Sequence, residues 1–211
     1  MASIRGLYVI IDPAACRGRN PVEVAEAALE GGATMIQWRD KVRDKGEQLP
    51  DALAVHQACR VRDALFIVND HADLALAIGG DGVHVGQKDL PVAVVRRILP
   101  AEFVVGASTN NPQEAAVAEA AGASYIAVGD IFGTATKQST RPASPAALAA
   151  VKAAVKLPVI GIGGITAANA AAVIEAGASG VAVISAVCGA DDPRAAAADL
   201  VRAILGAKGP R

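Results

Sequence analysis

Short apolar runs rich in β-branched residues recur along this chain, and a segment of helical periodicity follows each of them. We predict strands at residues 7–11, 35–38, 65–68, 82–85, 104–107, 125–128, 159–162 and 180–184. N-cap residues or first-turn prolines between the strands predict helix starts at Asn20-Pro21, Asp70, Asn111-Pro112, Ser144-Pro145, Thr166 or Asn169, and Asp192-Pro193. Eight strand–helix units in 211 residues favour an α/β chain folded as a single (β/α)8 TIM barrel with short loops, covering residues 1–211.

An open doubly wound sheet is the alternative fold. Such a sheet often carries a glycine-rich dinucleotide turn after its first strand, but Asp12-Pro13-Ala14-Ala15 stands there in this chain. Strands that are apolar on both faces fit either fold. The number of strand–helix units therefore decides in favour of the barrel.

The overall charge and composition exclude several classes of partner. The chain contains 20 Lys and Arg residues and 21 Asp and Glu residues, which gives a formal net charge of -1. Aromatic residues make up only 3% of the chain. A nucleic-acid-binding surface would need a basic patch or several stacking aromatics, so we expect no nucleic-acid partner. Small molecules are the expected partners, and homo-oligomerisation is left open.

The apolar segments do not predict membrane insertion or secretion. The stretch at 159–190 is interrupted by Asn169 and Glu175, and the first apolar run at 7–11 is too short for a signal peptide. The three cysteines are widely spaced and match neither a disulfide framework nor a zinc motif. We therefore expect a cytoplasmic protein with no membrane partner.

Polar side chains stand where the second predicted strand ends. Alternation along an extended segment turns Gln37, Arg39 and Lys41 to one face and Trp38 and Asp40 to the other. Two cations and an amide on one face could hold a phosphate or diphosphate. A solvated strand end with ordinary ion pairs would use the same residues.

Carboxylates follow the third and fourth strands. Asp70 and Asp89 could share one Mg²⁺, which usually takes one or two protein carboxylates and completes its shell with phosphate and water. A helix N-cap is the structural alternative for Asp70. His84, alone on the fourth strand, is interpreted as a structural group.

The later strand ends favour phosphate binding. Glycines at 161–164 follow the seventh strand, and loops seven and eight are the usual phosphate site of this fold. Ser108 follows the fifth strand, where helix capping is the alternative role. The long polar loop at 129–142 is a candidate lid.

Five segments in this order resemble the thiamine-phosphate synthase family, and the likeness runs from residue 7 to residue 185. The segments are Gln37-Trp38-Arg39-Asp40-Lys41, Ile67-Val68-Asn69-Asp70, residues 81–91 ending in Gly86-Gln87-Lys88-Asp89-Leu90-Pro91, Thr134-Ala135-Thr136-Lys137, and Ile162-Gly163-Gly164-Ile165. The run at 86–91 is the most specific of them.

The resemblance implies a Mg²⁺-dependent transferase of thiamine biosynthesis. It would join a pyrimidine methyl diphosphate to a thiazole ethyl phosphate, release pyrophosphate, and lose carbon dioxide when the thiazole carries a carboxylate. By motif position, the residues that would hold the pyrimidine diphosphate are Gln37, Trp38, Arg39, Asp40, Lys41, Asn69, Ser108 and Lys137. The thiazole phosphate would contact Thr134, Ala135, Thr136, Gly164, Ile184 and Ser185. Asp70 and Asp89 would bind the metal, and Arg39, Lys41, Ser108 and Lys137 would be catalytic.

Three other functions remain open for a barrel of this kind. A thiazole tautomerase-like relative would not need Arg39, Lys41, Asp70, Asp89 or Lys137. A phosphate-binding isomerase or indole-synthase barrel should show an acid–base pair at the strand ends, and the sequence shows none. A binding or regulatory barrel would hold thiazole phosphate without turnover.

Overall fold

The computed structural model describes residues 4–133 and 142–207, and in these residues eight parallel strands form a closed barrel. The strands are β1 (Gly6–Ile11), β2 (Met35–Trp38), β3 (Leu65–Asn69), β4 (Gly82–Val85), β5 (Val104–Thr109), β6 (Tyr125–Val128), β7 (Val159–Ile162) and β8 (Gly180–Val183). Each strand pairs with the next, and β1 also pairs with β8, in register Leu7 with Val181. The predicted (β/α)8 fold is confirmed.

Helices follow the strands and cover the barrel. They are α1 (Pro21–Glu30), α2 (Lys45–Val61), α3 (Ala72–Ile78), α4 (Val92–Ile98), α5 (Pro112–Ala120), α6 (Pro145–Ala154), α7 (Ala170–Glu175), the short α8 (Ser185–Cys188) and α9 (Pro193–Ala207). A turn of 3-10 helix, Pro13–Ala15, follows β1. Within the described ranges, no helix has the length and apolarity needed to cross a bilayer.

Alternation along the strands creates two apolar layers. In β1, Leu7 and Val9 face outward and join the large cluster between strands and helices. Tyr8 and Ile10 face inward and join the cluster inside the barrel. Both strand faces are buried, which explains why the strand sequences are almost continuously apolar.

Local capping explains where several helices begin. The side chains of Asn20, Asn111 and Ser144 accept hydrogen bonds from backbone N–H groups in the first turns of α1, α5 and α6, and a proline follows each of them. These predicted starts are confirmed. The start of α2 was not predicted; there Glu47 accepts a hydrogen bond from the backbone N–H of Asp44 at 3.4 Å.

The N-cap role considered for Asp70 is wrong. The N-cap position of α3 is held by His71, and Asp70 lies before it with a left-handed backbone, φ +60°. Its backbone N–H donates to the carbonyl of His84 on β4 at 2.8 Å. The carboxylate of Asp70 is therefore not used to begin the helix.

Glycine at position 106 in β5 is required by packing inside the barrel. A Cβ at this position would lie 2.1 Å from Cζ of Tyr125, whose ring is fully buried on the neighbouring strand. No rotamer of a buried tyrosine relieves an overlap of this size without moving the strands. Gly106 therefore makes room for the Tyr125 hydroxyl in the centre of the barrel.

We expect Gly106→Ala to destabilise the protein by roughly 1–3 kcal/mol because the new methyl overpacks the barrel interior. The control is Gly46→Ala in α2, where an added Cβ meets nothing within 4 Å and no stability loss is expected. The free energies of unfolding come from denaturant titration of both variants. Equal stability of the two variants would contradict the packing role of Gly106.

Candidate active site

A cavity of about 990 Å³ opens at the end of the barrel where the strands reach their carboxyl ends. Segments at or just after the end of every strand contribute to its wall: Asp12, Arg39, Asp70, Gly86, Asn110, Gly129, Gly163 and Ile184. Active sites of (β/α)8 enzymes lie at this face because the loops that follow the strands meet there.

The structure brings many of the predicted site residues together around this cavity. Those that line it are Arg39, Lys41, Asn69, Asp70, Asp89, Ser108, Gly164, Ile184 and Ser185. Thr134, Ala135, Thr136 and Lys137, with most of the predicted lid, lie outside the described residues.

Trp38 and Asp40, which motif position places in the substrate-binding set, are not among the residues that line the cavity. Trp38 is buried in the outer layer, where its Nε1 donates to Oε1 of Gln48 on α2 at 3.1 Å. Asp40 accepts hydrogen bonds from the backbone N–H of Val42 and from Nε of Arg43. Burial raises the pKa of the Asp40 carboxyl, but these hydrogen bonds outweigh it and hold the pKa below its usual value. The two residues shape the loop after β2 from behind, as strand alternation predicts.

Arg39 is held at the cavity wall by Asp12. The Arg39 guanidinium contacts the Asp12 carboxylate, and both side chains are largely buried. The other oxygen of Asp12 accepts a hydrogen bond from the backbone N–H of Ala14 at 3.1 Å. A guanidinium fixed in this way can present its remaining donors to an anion in the cavity.

Lys41, Asp70 and Asp89 form the most strongly charged group in the cavity wall. Lys41 Nζ contacts the Asp70 carboxylate. Burial raises the pKa of Asp70, but the Lys41 ammonium more than compensates and holds the pKa below its usual value. Burial and the neighbouring charge of Asp70 raise the pKa of Asp89. Asp89 also accepts a hydrogen bond from the backbone N–H of Gly86 at 2.8 Å, which lowers the pKa but does not cancel the increase.

Asp70 and Asp89 suit a Mg²⁺ ion whose shell is completed by substrate phosphates. They do not suit a metal that needs three or more protein ligands. Asp70 and Asp89 interact directly, and two adjacent negative charges favour a divalent cation between them. In residues 4–133 and 142–207, no group of three or more His, Cys, Asp or Glu side chains could hold a metal. Magnesium needs only one or two carboxylates when substrate phosphates complete its shell.

The opposite wall of the cavity is formed by the ends of β7 and β8. Gly163 and Gly164 both have positive φ, at +103° and +63°, which glycine adopts without strain. Nδ2 of Asn169 donates to the carbonyl of Gly164 at 3.0 Å and fixes this turn. Ser185 opens α8 directly after Ile184. A glycine turn, which lets a ligand approach the backbone closely, and a serine hydroxyl suit a phosphate monoester.

Gln37 lies beneath the cavity, inside the barrel. Its side chain is 1% exposed and its Nε2 donates to Oη of Tyr8 at 2.6 Å. Gln37 lines a second, small cavity of about 20 Å³. His84 and Ser108 line both cavities, so this polar interior lies directly under the candidate active site.

Asp12 and His84 are cavity residues that sequence reasoning did not assign to the site. Asp12 is the first residue after β1, and this position at a strand end was the available signal for it. His84, interpreted from the sequence as a structural group, lines the cavity and contacts Ser108, with 2.8 Å between Nε2 and Oγ. A single inward-facing histidine carries no local sequence signal for such a contact.

Comparisons with known proteins identify the family of the chain. Residues 7–187 match the family model described as thiamine monophosphate synthase. The chain is 48% identical to a curated thiamine-phosphate synthase from Methanoculleus marisnigri, covering 96% of both chains. It is also 48% identical to a thiamine biosynthesis bifunctional protein from Symbiobacterium thermophilum, but it spans 42% of that protein's length.

A solved structure supports the same assignment. The thiamine phosphate pyrophosphorylase from Pyrococcus furiosus superimposes with a TM-score of 0.89 at 39% identity, covering 97% of each chain. The family model, the curated relatives and this structure coincide over most of the chain. The chain belongs to the thiamine monophosphate synthase family.

Proposed function

We propose that the chain joins 4-amino-2-methyl-5-(diphosphooxymethyl)pyrimidine to thiazole ethyl phosphate, giving thiamine phosphate and pyrophosphate. The observation that carries the proposal is the composition of one cavity. Arg39, Lys41, Asp70 and Asp89 face a glycine-lined turn with Ser185 across the same space. The first group suits a metal-bound diphosphate and the second a phosphate monoester.

The reaction is a substitution at the methylene carbon of the pyrimidine. The bond from this carbon to the diphosphate oxygen breaks, and a bond from the carbon to the thiazole nitrogen forms. When bound, Mg²⁺ would supply positive charge that makes the diphosphate a better leaving group. Arg39 and Lys41 stabilise the same departing charge from the protein side.

A dissociative path fits this site. The amino group of the pyrimidine delocalises the positive charge that develops as the diphosphate leaves. The attacking thiazole nitrogen carries no proton, so the reaction needs no general base. The described cavity wall supplies cations and hydrogen-bond donors that orient the reactants and stabilise charge.

The carboxylated thiazole phosphate is a second form of the acceptor substrate. With that substrate, carbon dioxide leaves after the new bond forms: the bond from the ring carbon to the carboxylate breaks, the thiazolium carbon keeps its electron pair, and that carbon then takes a proton from water. The phosphate is held by the same groups in either case, Gly164 and Ser185 among them. The two forms therefore bind in one orientation.

The direct test is incubation of the purified protein with Mg²⁺, the pyrimidine diphosphate and either thiazole phosphate. Thiamine phosphate and pyrophosphate are expected in equal amounts, with carbon dioxide from the carboxylated substrate only. Omitting either substrate should abolish both products. Conversion of the carboxylated thiazole alone would indicate a tautomerase, and no turnover at saturating substrate would indicate a binding protein.

We expect Asp89→Asn to lower kcat by at least about 100-fold, because the magnesium site loses one of its two charges. The same variant should be as stable as the wild type or more stable without Mg²⁺, since the repulsion between Asp70 and Asp89 is removed. Asparagine can still accept the hydrogen bond from Gly86. Steady-state kinetics and thermal unfolding measure the two effects.

The matched control is Asp73→Asn. Asp73 is an exposed carboxylate that pairs with Lys45 at 2.6 Å outside the cavity, so its loss should change kcat by less than about threefold. Near-normal turnover of Asp89→Asn would show that the metal site lies elsewhere. A large loss of stability in Asp89→Asn would show that the carboxylate has a structural role instead.

A further inference from the structure

A chain of hydrogen bonds crosses the barrel interior beneath the candidate active site. Gln37 Nε2 donates to Tyr8 Oη at 2.6 Å, and Tyr8 Oη lies 3.0 Å from Tyr125 Oη. Tyr125 Oη lies 3.0 Å from Nδ1 of His84, and Nε2 of His84 lies 2.8 Å from Oγ of Ser108. The chain begins in the buried interior and ends at the cavity wall.

The donor at the beginning sets the direction of the chain. An amide nitrogen can only donate, so Tyr8 Oη accepts from Gln37 and its own proton needs another acceptor. Tyr8 is 2% exposed and Tyr125 Oη is its second hydrogen-bond partner in the described part of the chain. A buried hydroxyl proton without an acceptor is costly, which favours donation from Tyr8 to Tyr125.

The same assignment of donors and acceptors indicates which nitrogen of His84 carries the proton. Tyr125 accepts from Tyr8 and therefore gives its single proton to Nδ1 of His84. An imidazole nitrogen that accepts carries no proton, so an accepting Nδ1 leaves the one N–H of a neutral imidazole on Nε2, which faces Ser108 Oγ at 2.8 Å. When Ser108 accepts through Oγ, its own proton can be donated to a group bound in the cavity, since Ser108 lines that cavity.

The environment keeps the two tyrosines in the protonated form that this chain requires. Burial raises the pKa of Tyr8 and of Tyr125 well above the usual value. The His84 ring also stacks on Tyr125, with 5.5 Å between the ring centroids. Gln87 Nε2 donates to the carbonyl of Ser108 at 2.6 Å and fixes its backbone.

We propose that Gln37, Tyr8, Tyr125 and His84 form a positioning chain that holds the Ser108 hydroxyl as a donor to the bound pyrimidine diphosphate. The proposal rests on the proposed function and on the family resemblance, by which Ser108, a residue of the cavity wall, would hold this substrate. Gln37 acts on the reaction through Tyr8, and His84 acts through Ser108. Ser108 is the catalytic residue of the set, and the other four are positioning residues.

The first measurement needs no variant. Long-range ¹H–¹⁵N correlation spectra of histidine-labelled protein report which imidazole nitrogen carries the proton, and the His84 signals are assigned by their loss in His84→Asn. We expect Nε2 of His84 to be protonated and Nδ1 to be unprotonated in the wild type. The opposite tautomer would overturn the proposal.

The second measurement is a double-mutant cycle between Tyr125→Phe and Ser108→Ala. Ser108→Ala should lower kcat by about 100-fold, the effect of losing one preorganised donor. Tyr125→Phe should lower kcat by about tenfold with little change in KM, because the donor remains but is less well oriented. In the Ser108→Ala background, Tyr125→Phe should have no further effect, since the chain acts only through Ser108.

Two further variants separate positioning from a general packing effect. Thr109→Val removes a fully buried hydroxyl from the same strand as Ser108. This hydroxyl takes no part in the hydrogen-bond chain, so kcat should stay within about twofold of the wild type. Tyr8→Phe leaves the Tyr125–His84 contact in place but removes its fixed direction, so both His84 tautomers should appear. Additive losses in the cycle, or one persistent tautomer in Tyr8→Phe, would contradict the proposal.

Failure of the chain and failure of the proposed function give different results. If the wild type forms thiamine phosphate but the cycle is additive, only the positioning chain is wrong. If the wild type forms no thiamine phosphate while His84 shows the expected tautomer, the proposed function is wrong and the hydrogen-bond chain is structural.

Discussion

Hydrogen bonding between β1 and β8 is the constraint on which the rest of this structure depends. This pairing closes eight parallel strands into a ring, so that all carboxyl ends meet at one rim. Residues far apart in sequence then face one cavity, such as Asp12 after β1, Asp89 after β4 and Ser185 after β8. An open sheet made of the same units would spread these residues along an edge, and no common site would form.

Charge is concentrated at this rim although the whole chain is almost neutral. The formal net charge is -1, yet Arg39, Lys41, Asp70 and Asp89 all line one cavity. The cations are paired with carboxylates: Arg39 with Asp12 and Lys41 with Asp70. Such pairing lowers the cost of holding charged groups in a partly buried site. The phosphate groups of a metal-bound diphosphate can pair with Arg39 and Lys41 more strongly than the carboxylates do. The metal ion can then neutralise the carboxylates.

The sequence predicted those features that depend on local interactions, and it failed where the ring of strands decides. Helix starts at Asn20 and Ser144 follow from capping, which acts within one turn. The capping role of Asp70 was wrong because pairing with β4 and Lys41 positions this residue instead. The chain of hydrogen bonds through Tyr8 and Tyr125 could not be predicted, since these residues lie 117 positions apart and meet only inside the closed barrel.

The central claim is that the acidic and basic groups of the rim act together to hold a metal-bound diphosphate. Calorimetric titration of the intact protein with pyrophosphate, in the presence and absence of Mg²⁺, tests it most directly. We expect one pyrophosphate to bind per chain, with an affinity at least about tenfold higher when Mg²⁺ is present, because two carboxylates and the phosphates share the ion. Equal affinity with and without Mg²⁺ would contradict the claim.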